Sequence, residues 1–192
     1  MKLYYSPGAC SLATRISLHE AGIDADFERV DLKAKVTATG QDYTAINPAG
    51  AVPFLVLDGG EAISENVAIL ELLAELAPQL GVGGPLGRTR LLEMLSFLSS
   101  ELHIAFKPFW HAASDADKAE AGAAVGKRLA LLEARIIEPY LFGDGFTGAD
   151  AYLFVMLRWA KAFGLPFPPR LGEFFDRVAE RSSVRQALAE EA

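Results

Sequence analysis

The sequence predicts an α/β N-terminal half in the order βαβαββα, followed by an all-helical C-terminal half. Three observations carry this reading. Strand-like and helix-like patterns alternate through the first 77 or so residues. The stretch PQLGVGGPLG (78–87) is too dense in proline and glycine for a regular element and reads as a linker. Beyond it, Leu91, Leu95, Leu98, Leu102 and Ala105 recur in steps of four and three, one core-facing stripe of a long helix. The expected division is 1–77, a linker at 78–87, and 88–192.

KLYYS (2–6) is short and aromatic, like a strand. SLATRISLHEAG (11–22) places Leu12, Ile16 and Leu18 on an amphipathic helix that ends at Gly22. FERVDL (27–32) alternates as a second strand does, and a weak helix is expected around DYTAI (42–46). NPAGAVPFLVLDGGEAIS then reads as two short strands joined at Asp58-Gly59-Gly60, a strong hairpin signal. ENVAILELLAELA (65–77) closes this half as a helix. In the second half, Pro108 is expected to kink or end the long helix. Further helices are expected over roughly 115–140, over 146–164 and from Leu171 onward.

The chain has 192 residues, 51% of them hydrophobic, enough to bury a core. Its net charge of −7 and lack of a basic tract argue against a nucleic-acid partner. No apolar run reaches the ~20 residues that span a bilayer, and Ser-Pro-Gly interrupts the start where a signal peptide needs an apolar stretch. A cytoplasmic protein without a membrane partner is expected. Cys10 is the only cysteine, so no intrachain disulfide can form. A thiol at the first turn of a helix meets unsatisfied N–H groups and the positive end of the dipole, which favour its anion; the alternative is an inert, packed cysteine. Ala13 stands where a C-x-x-C pair would have its second thiol, so any disulfide made by Cys10 must be with an external thiol.

A strand, a cysteine-bearing turn at a helix start and a later Val-Pro entering a strand resemble the thioredoxin-like fold. With the helical second half, the chain resembles the cytosolic glutathione transferases, and among them the bacterial beta class. The resemblance rests on MKLYYSPGACSLATRISLHEAG, INPAGAVPFLVLDGG, ISENVAILELLAE, FLSSELHIAFKP and FTGADAYLF, in order along nearly the whole chain. It implies glutathione as co-substrate, no metal, and a homodimer whose site takes residues from both halves of each subunit.

The resemblance also assigns roles. It implies a cis Val52-Pro53 bond that leaves the Val52 N–H and C=O free for the backbone of glutathione, although a turn before an edge strand would explain Pro53 equally well. Ser64 reads as an N-cap, and Glu65 and Asn66 are implied to hold the γ-glutamyl end of glutathione; ordinary capping worth ~1 kcal/mol is the plainer account. Lys35 is implied to meet the glycyl carboxylate, though a loop lysine is normally just solvated. Ser96, Ser100, His103 and Lys107 form a polar line, ordinarily a solvated face, in which His103 is implied to reach the sulfur of Cys10. Glu101 is implied to reach the glutathione of the neighbouring subunit. Ser96 stands where the family often has asparagine and Ile104 where a lysine can occur, which implies fewer contacts from this helix. Tyr5 and Ser11 are candidates near the sulfur, since other classes use a hydroxyl there. His19 and His111 receive no role. Thr147 and Asp150 form a capping box that serves stability.

Cys10 and His103 are thus the expected catalytic residues. The expected activity is transfer of glutathione to a hydrophobic electrophile or a disulfide acceptor. A thiol-disulfide reductase using Cys10 as nucleophile and a non-catalytic interaction module are the alternatives.

Overall fold

A computed structural model describes residues 1–111 and 113–192. The first half contains β1 (Lys2–Tyr5), α1 (Ser11–Ala21), β2 (Asp26–Asp31), β3 (Val36–Thr37), α2 (Tyr43–Ile46), β4 (Phe54–Val56), β5 (Ala62–Ser64) and α3 (Asn66–Leu76). The five strands form one sheet in the order β3-β2-β1-β4-β5; β1 and β2 run parallel and every other pair antiparallel. This is the thioredoxin-like arrangement. The observed order βαββαββα adds β3 to the expected one. Two residues paired with Val30 and Asp31 are too few to leave an alternating pattern. Asp58-Gly59-Gly60 turns the β4–β5 hairpin as expected, closed by the Leu57 N–H on the Glu61 carbonyl (2.8 Å).

Side chains on β1 alternate between two sheet faces. Leu3 and Tyr5 enter the main core, whereas Tyr4 joins Val30 and Tyr43 in a small cluster on the other face, beneath α2. The main core is continuous across both halves of the chain, running from Leu12 and Ile16 on α1 through Leu70 on α3 to the second-half helices.

Those helices are α4 (Gly87–Phe97), a π-helical turn (Leu98–His103), α5 (Lys107–Trp110), α6 (Asp115–Glu133), α7 (Gly148–Ala162), α8 (Pro169–Ala179) and α9 (Ser182–Glu190). Leu91, Leu95, Leu98 and Leu102 are buried as the stripe requires. The long helix is nevertheless not uniform. Its middle is the π turn, and Pro108 lies in the first turn of α5 rather than at the end of a long helix, where its missing N–H costs nothing. Pro78–Leu80 forms a short 3₁₀ turn inside the expected linker because Leu80 is drawn fully into the core. Helix α6 stops at Glu133, short of the expected 140. A residue preceding proline disfavours helical backbone, and Glu138-Pro139 is a cis pair within the following loop.

α7 is the central helix, buried along most of its length and packed on α1, α3, α4 and α8. Its start is the expected capping box. The Asp150 carboxylate accepts from the Thr147 N–H (2.8 Å) and hydroxyl (2.6 Å), and also from the Leu141 N–H (2.8 Å). The third bond ties the 135–146 loop to the helix that fills the core. Burial pushes the Asp150 carboxyl up to about 6 against these bonds. Replacing Asp150 with Ala leaves three buried donors without their acceptor, and each such group costs ~1–3 kcal/mol. Asp150→Ala is expected to lower stability by about 3 kcal/mol or more in urea unfolding; a loss under about 1 kcal/mol would mean that the box does not anchor α7.

Candidate active site

The loop carrying Cys10 is a tight turn closed by the Ala9 N–H on the Ser6 carbonyl (3.1 Å). Ser11 Oγ braces it, accepting from the Ser6 N–H (3.2 Å) and donating to the Ser6 carbonyl (3.3 Å). Gly8 adopts φ 71°, a conformation only glycine takes without strain. Its carbonyl accepts from Trp159 Nε1 (2.8 Å) and its N–H donates to Glu191 Oε2 (2.9 Å), so residues of the second half hold the turn.

Cys10 then occupies the N-cap of α1, with Sγ donating to the Val52 carbonyl (3.5 Å). Burial is the main influence on this thiol and pushes its pKa up to about 12, with the Glu65 carboxylate adding to the rise. The N–H groups of Cys10 and Ser11 act in the opposite direction, as a helix start should, but they are outweighed. Burial thus favours the thiol over the thiolate that a helix start alone would favour. Cys10 is a protonated hydrogen-bond donor.

Three further segments face it. In the first, Ala51 accepts from the Tyr43 hydroxyl (2.7 Å) and Asn47 Nδ2 (2.9 Å), which fixes the approach to Val52. The Val52-Pro53 bond is cis, and among the described residues the Val52 N–H makes no hydrogen bond. Lys35, itself at φ 58°, reaches over this segment and donates to the Gly50 carbonyl (2.8 Å). In the second segment, Ser64 ends β5 and Glu65, not Ser64, is the N-cap of α3, with no side-chain cap bond. Glu65 sits at φ 71°, a left-handed backbone that costs a non-glycine residue ~1–3 kcal/mol and is concentrated at functional sites.

The third segment is the π turn with α5. His103 Nδ1 lies 2.7 Å from the Tyr152 hydroxyl, and its ring packs against Trp110 and Trp159. Burial, helped by the charge on Lys107, pushes its imidazole down to about 4. Burial likewise raises the Tyr152 phenol well above its usual range. His103 and Tyr152 are thus a neutral pair at neutral pH.

Two cavities meet at Cys10, one of about 670 Å³ and one of about 270 Å³. Both are lined by Cys10, Val52, His103 and Lys107; the larger adds Lys35, Trp110 and Trp159, the smaller Ser64, Glu65 and Asn66. A cleft with a carboxylate and a helix start at one end, a lysine at the other and the free Val52 N–H between them suits an extended zwitterionic peptide.

Two family models match the chain, the glutathione S-transferase N-terminal domain over residues 8–76 and its C-terminal domain over residues 97–182. Glutathione S-transferase GstA of Escherichia coli O157:H7 is 40% identical, covering 100% of this chain and 98% of that protein. The chain belongs to the glutathione S-transferase family. Among solved structures similar to this transferase are a sphingomonad glutathione S-transferase complexed with glutathione, at 42% identity and TM-score 0.93, and the bacterial beta class enzyme of Sphingomonas chungbukensis, at 42% identity and TM-score 0.91. The first alignment covers 100% of this chain and 98% of the other, the second 100% and 99%.

The transferase brings most of its sequence-expected residues to the cleft, but not all. Tyr5 is buried, with its ring under the Arg15 guanidinium (3.8 Å), and lines neither cavity at Cys10. The Ser11 hydroxyl is fully buried and committed to Ser6; what Ser11 offers the sulfur is its backbone N–H. Asn66 lines the smaller cavity, yet its side chain accepts from Thr14 Oγ1 (2.8 Å) and donates to the Cys10 carbonyl (3.2 Å), bracing α1 against α3. Glu101 faces a separate cavity and pairs with Arg128 (2.9 Å).

The polar line on the long helix divides. Ser96 and Ser100 lie outside both cavities at Cys10 while His103 and Lys107 line them, because the π turn breaks the register an α-helix would keep. Ile104 lines the smaller cavity. His19 pairs with Glu190 (2.8 Å), as a residue without a role can, but His111 lines the larger cavity. Sequence reasoning missed Ser99 and Tyr152, whereas Trp110 and Trp159 lie in HIAFKPFW and LRWAKAFG, stretches whose aromatic residues suggest either an apolar wall or core, and both line the larger cavity. Tyr152 and Trp159 belong to the apolar face of a core helix, and nothing in their spacing separates a cavity wall from packing.

Cysteine alkylation reads the state of the thiol directly. Iodoacetamide is expected to modify Cys10 slowly near neutral pH, with the rate rising about tenfold per pH unit into the alkaline range, since only the thiolate reacts. Glu65→Gln removes a carboxylate that raises the thiol pKa and should speed alkylation at fixed pH. A rate that levels off near pH 7 would show a thiolate instead.

Proposed function

We propose that this glutathione S-transferase binds glutathione across the two joined cavities. The γ-glutamyl group lies at the Glu65 turn and the start of α3, with its ammonium on the Glu65 carboxylate. The cysteinyl backbone pairs with Val52, the glycyl carboxylate points to Lys35, and the sulfur rests beside Cys10. The observation that carries this reading is the meeting of both cavities at Cys10, Val52 and His103, with Glu65 and Lys35 on opposite sides.

Conjugation to an electrophile is favoured over thiol exchange with Cys10 as nucleophile. A thiol with its pKa pushed up to about 12 is almost wholly protonated at neutral pH, and a protonated sulfur does not attack. It can donate a hydrogen bond. In this reading Cys10 turns its S–H from the Val52 carbonyl to the glutathione sulfur and stabilises that sulfur as the attacking thiolate. His103, neutral and fixed by Tyr152, lines the same space as a polar, uncharged group. Trp110 and Trp159 form the apolar wall for the acceptor, backed by the buried Phe106.

The division into 1–77, a linker at 78–87 and 88–192 belongs to the same reading. So do a homodimer, with Glu101 turned to the partner, a cytoplasmic location and a role in detoxification. Among the described residues no helix is long and apolar enough to cross a membrane.

Removing one hydrogen bond to a charged group costs ~1.5–3 kcal/mol. Cys10→Ala is therefore expected to lower kcat/KM for conjugation of a chlorodinitrobenzene by about ten- to a hundredfold, without abolishing it. Intact-protein mass spectrometry after oxidised glutathione at neutral pH should show little adduct on the wild-type chain. Complete loss of conjugation in Cys10→Ala, together with rapid adduct formation, would reassign Cys10 as a nucleophile. Failure of the wild-type chain to bind immobilised glutathione would sink the reading altogether.

A further inference from the structure

Carboxylates are confined to one side of the cleft. Glu65 lines the smaller cavity, whereas the larger one is lined by Lys35, Lys107, His103 and His111 and by no aspartate or glutamate among the described residues; Lys107 and His103 border both. That is unusual surroundings for a chain of net charge −7. Lys35 serves the glycyl carboxylate in the proposed pose, which leaves Lys107 without an anion of its own. No ion pair involves Lys107 among the described residues, and its charge is felt inside the cavity, where it helps to hold His103 neutral.

Lys107, Trp110 and His111 fall within five consecutive residues, and all three line the same cavity. Lys107 opens α5, with Pro108 fixing that first turn, and Trp110 packs edge-on to Trp159 (4.8 Å between ring centroids). Two indoles and a cation around a cavity of about 670 Å³ make a site for a flat body with a negative charge at one edge. The carboxylates Glu101, Asp117 and Glu120 line a different cavity, which Lys107 and His111 also border, but none of them forms an ion pair with Lys107 among the described residues.

We infer that the acceptor preferred by this site is an anionic aromatic electrophile, its ring against Trp110 and Trp159 and its carboxylate or equivalent anion on Lys107. The inference rests on the transferase reading above. For an aryl chloride the step balances simply: the glutathione sulfur attacks the ring carbon bearing chlorine, a carbon–sulfur bond forms, the carbon–chlorine bond breaks, chloride leaves with its electron pair, and the thiol proton passes to solvent.

The test compares a chlorodinitrobenzoate with the matching chlorodinitrobenzamide on the enzyme with glutathione. Each kcat/KM is divided by the uncatalysed rate with glutathione, which removes the difference in ring electronics. An ion pair at a partly exposed site is worth up to ~1 kcal/mol, so the carboxylate is expected to be favoured about fivefold at low salt, with the preference fading as sodium chloride is added. Lys107→Gln should bring the ratio to about one and Lys107→Glu should invert it. A ratio at or below one in the wild type, a ratio indifferent to salt, or one unchanged in Lys107→Gln overturns the inference. If the amide is conjugated while the ratio stays at one, the transferase reading survives and only the anion preference falls. If neither compound is conjugated and glutathione is not bound, the transferase reading falls and the inference with it.

Discussion

The site depends on how Gly8 is held. Its carbonyl and its N–H are both taken by groups from the second half of the chain, Trp159 on the core helix and Glu191 after the last one. A turn of this kind has little apolar surface of its own to bury, so its geometry must be imposed by hydrogen bonds to rigid neighbours. Glycine takes the backbone at φ 71° without strain, and two long-range bonds fix what glycine would otherwise leave free. Cys10 is the next residue but one. The position of the thiol is thus set by both halves, which is why a single core running through them matters to the chemistry as well as to stability.

The same burial that fixes the site decides its protonation. A helix start offers a thiol two N–H groups, yet Cys10 is shielded from water and shares its cavity with a carboxylate, and desolvation wins. His103 follows the same rule with opposite sign: burial disfavours its cation, and Lys107 adds to the penalty. Burial therefore favours the neutral forms of Cys10, His103 and Tyr152 alike, and in the proposed pose the sulfur would meet hydrogen-bonding groups there. The charges stand at the edges of the cleft, on Glu65, Lys35 and Lys107, where a zwitterionic ligand has its own ends.

Much of this was legible in the residues. The Asp58-Gly59-Gly60 hairpin, the leucine stripe and the Thr147–Asp150 box are local signals whose physics does not depend on distant groups, and each stands as read. The helix start at Cys10 is legible as geometry, whereas the balance between its N–H groups and desolvation is not, because desolvation is a property of the folded surroundings and leaves no mark on the hexad SPGACS. Ser64 was a reasonable cap by residue type. The chain instead turns at Glu65 in a left-handed conformation that no propensity scale would assign to glutamate. The π turn was invisible for a similar reason: leucines at 91, 95, 98 and 102 satisfy an α-helical register so well that a local change of winding between them alters nothing in the pattern. Trp159 and Tyr152 illustrate the remaining difficulty, since one face of α7 both packs the core and lines the cleft.

Glu65 shows why that strained turn persists. A left-handed glutamate would relax if the residues around it could move, but the next residue, Asn66, is bonded to Thr14 on α1 and to the carbonyl of Cys10. Relaxing the turn would break buried hydrogen bonds whose loss costs as much as the strain relieves. The consequence is reciprocal. The bonds that hold Asn66 keep the Glu65 carboxylate directed at the cleft, where it raises the pKa of Cys10, and the same bonds hold Cys10 where it feels that charge. A ligand ammonium placed on Glu65 would offset part of this effect, so occupancy at the Glu65 end and the acidity of the thiol are coupled through one short stretch of backbone.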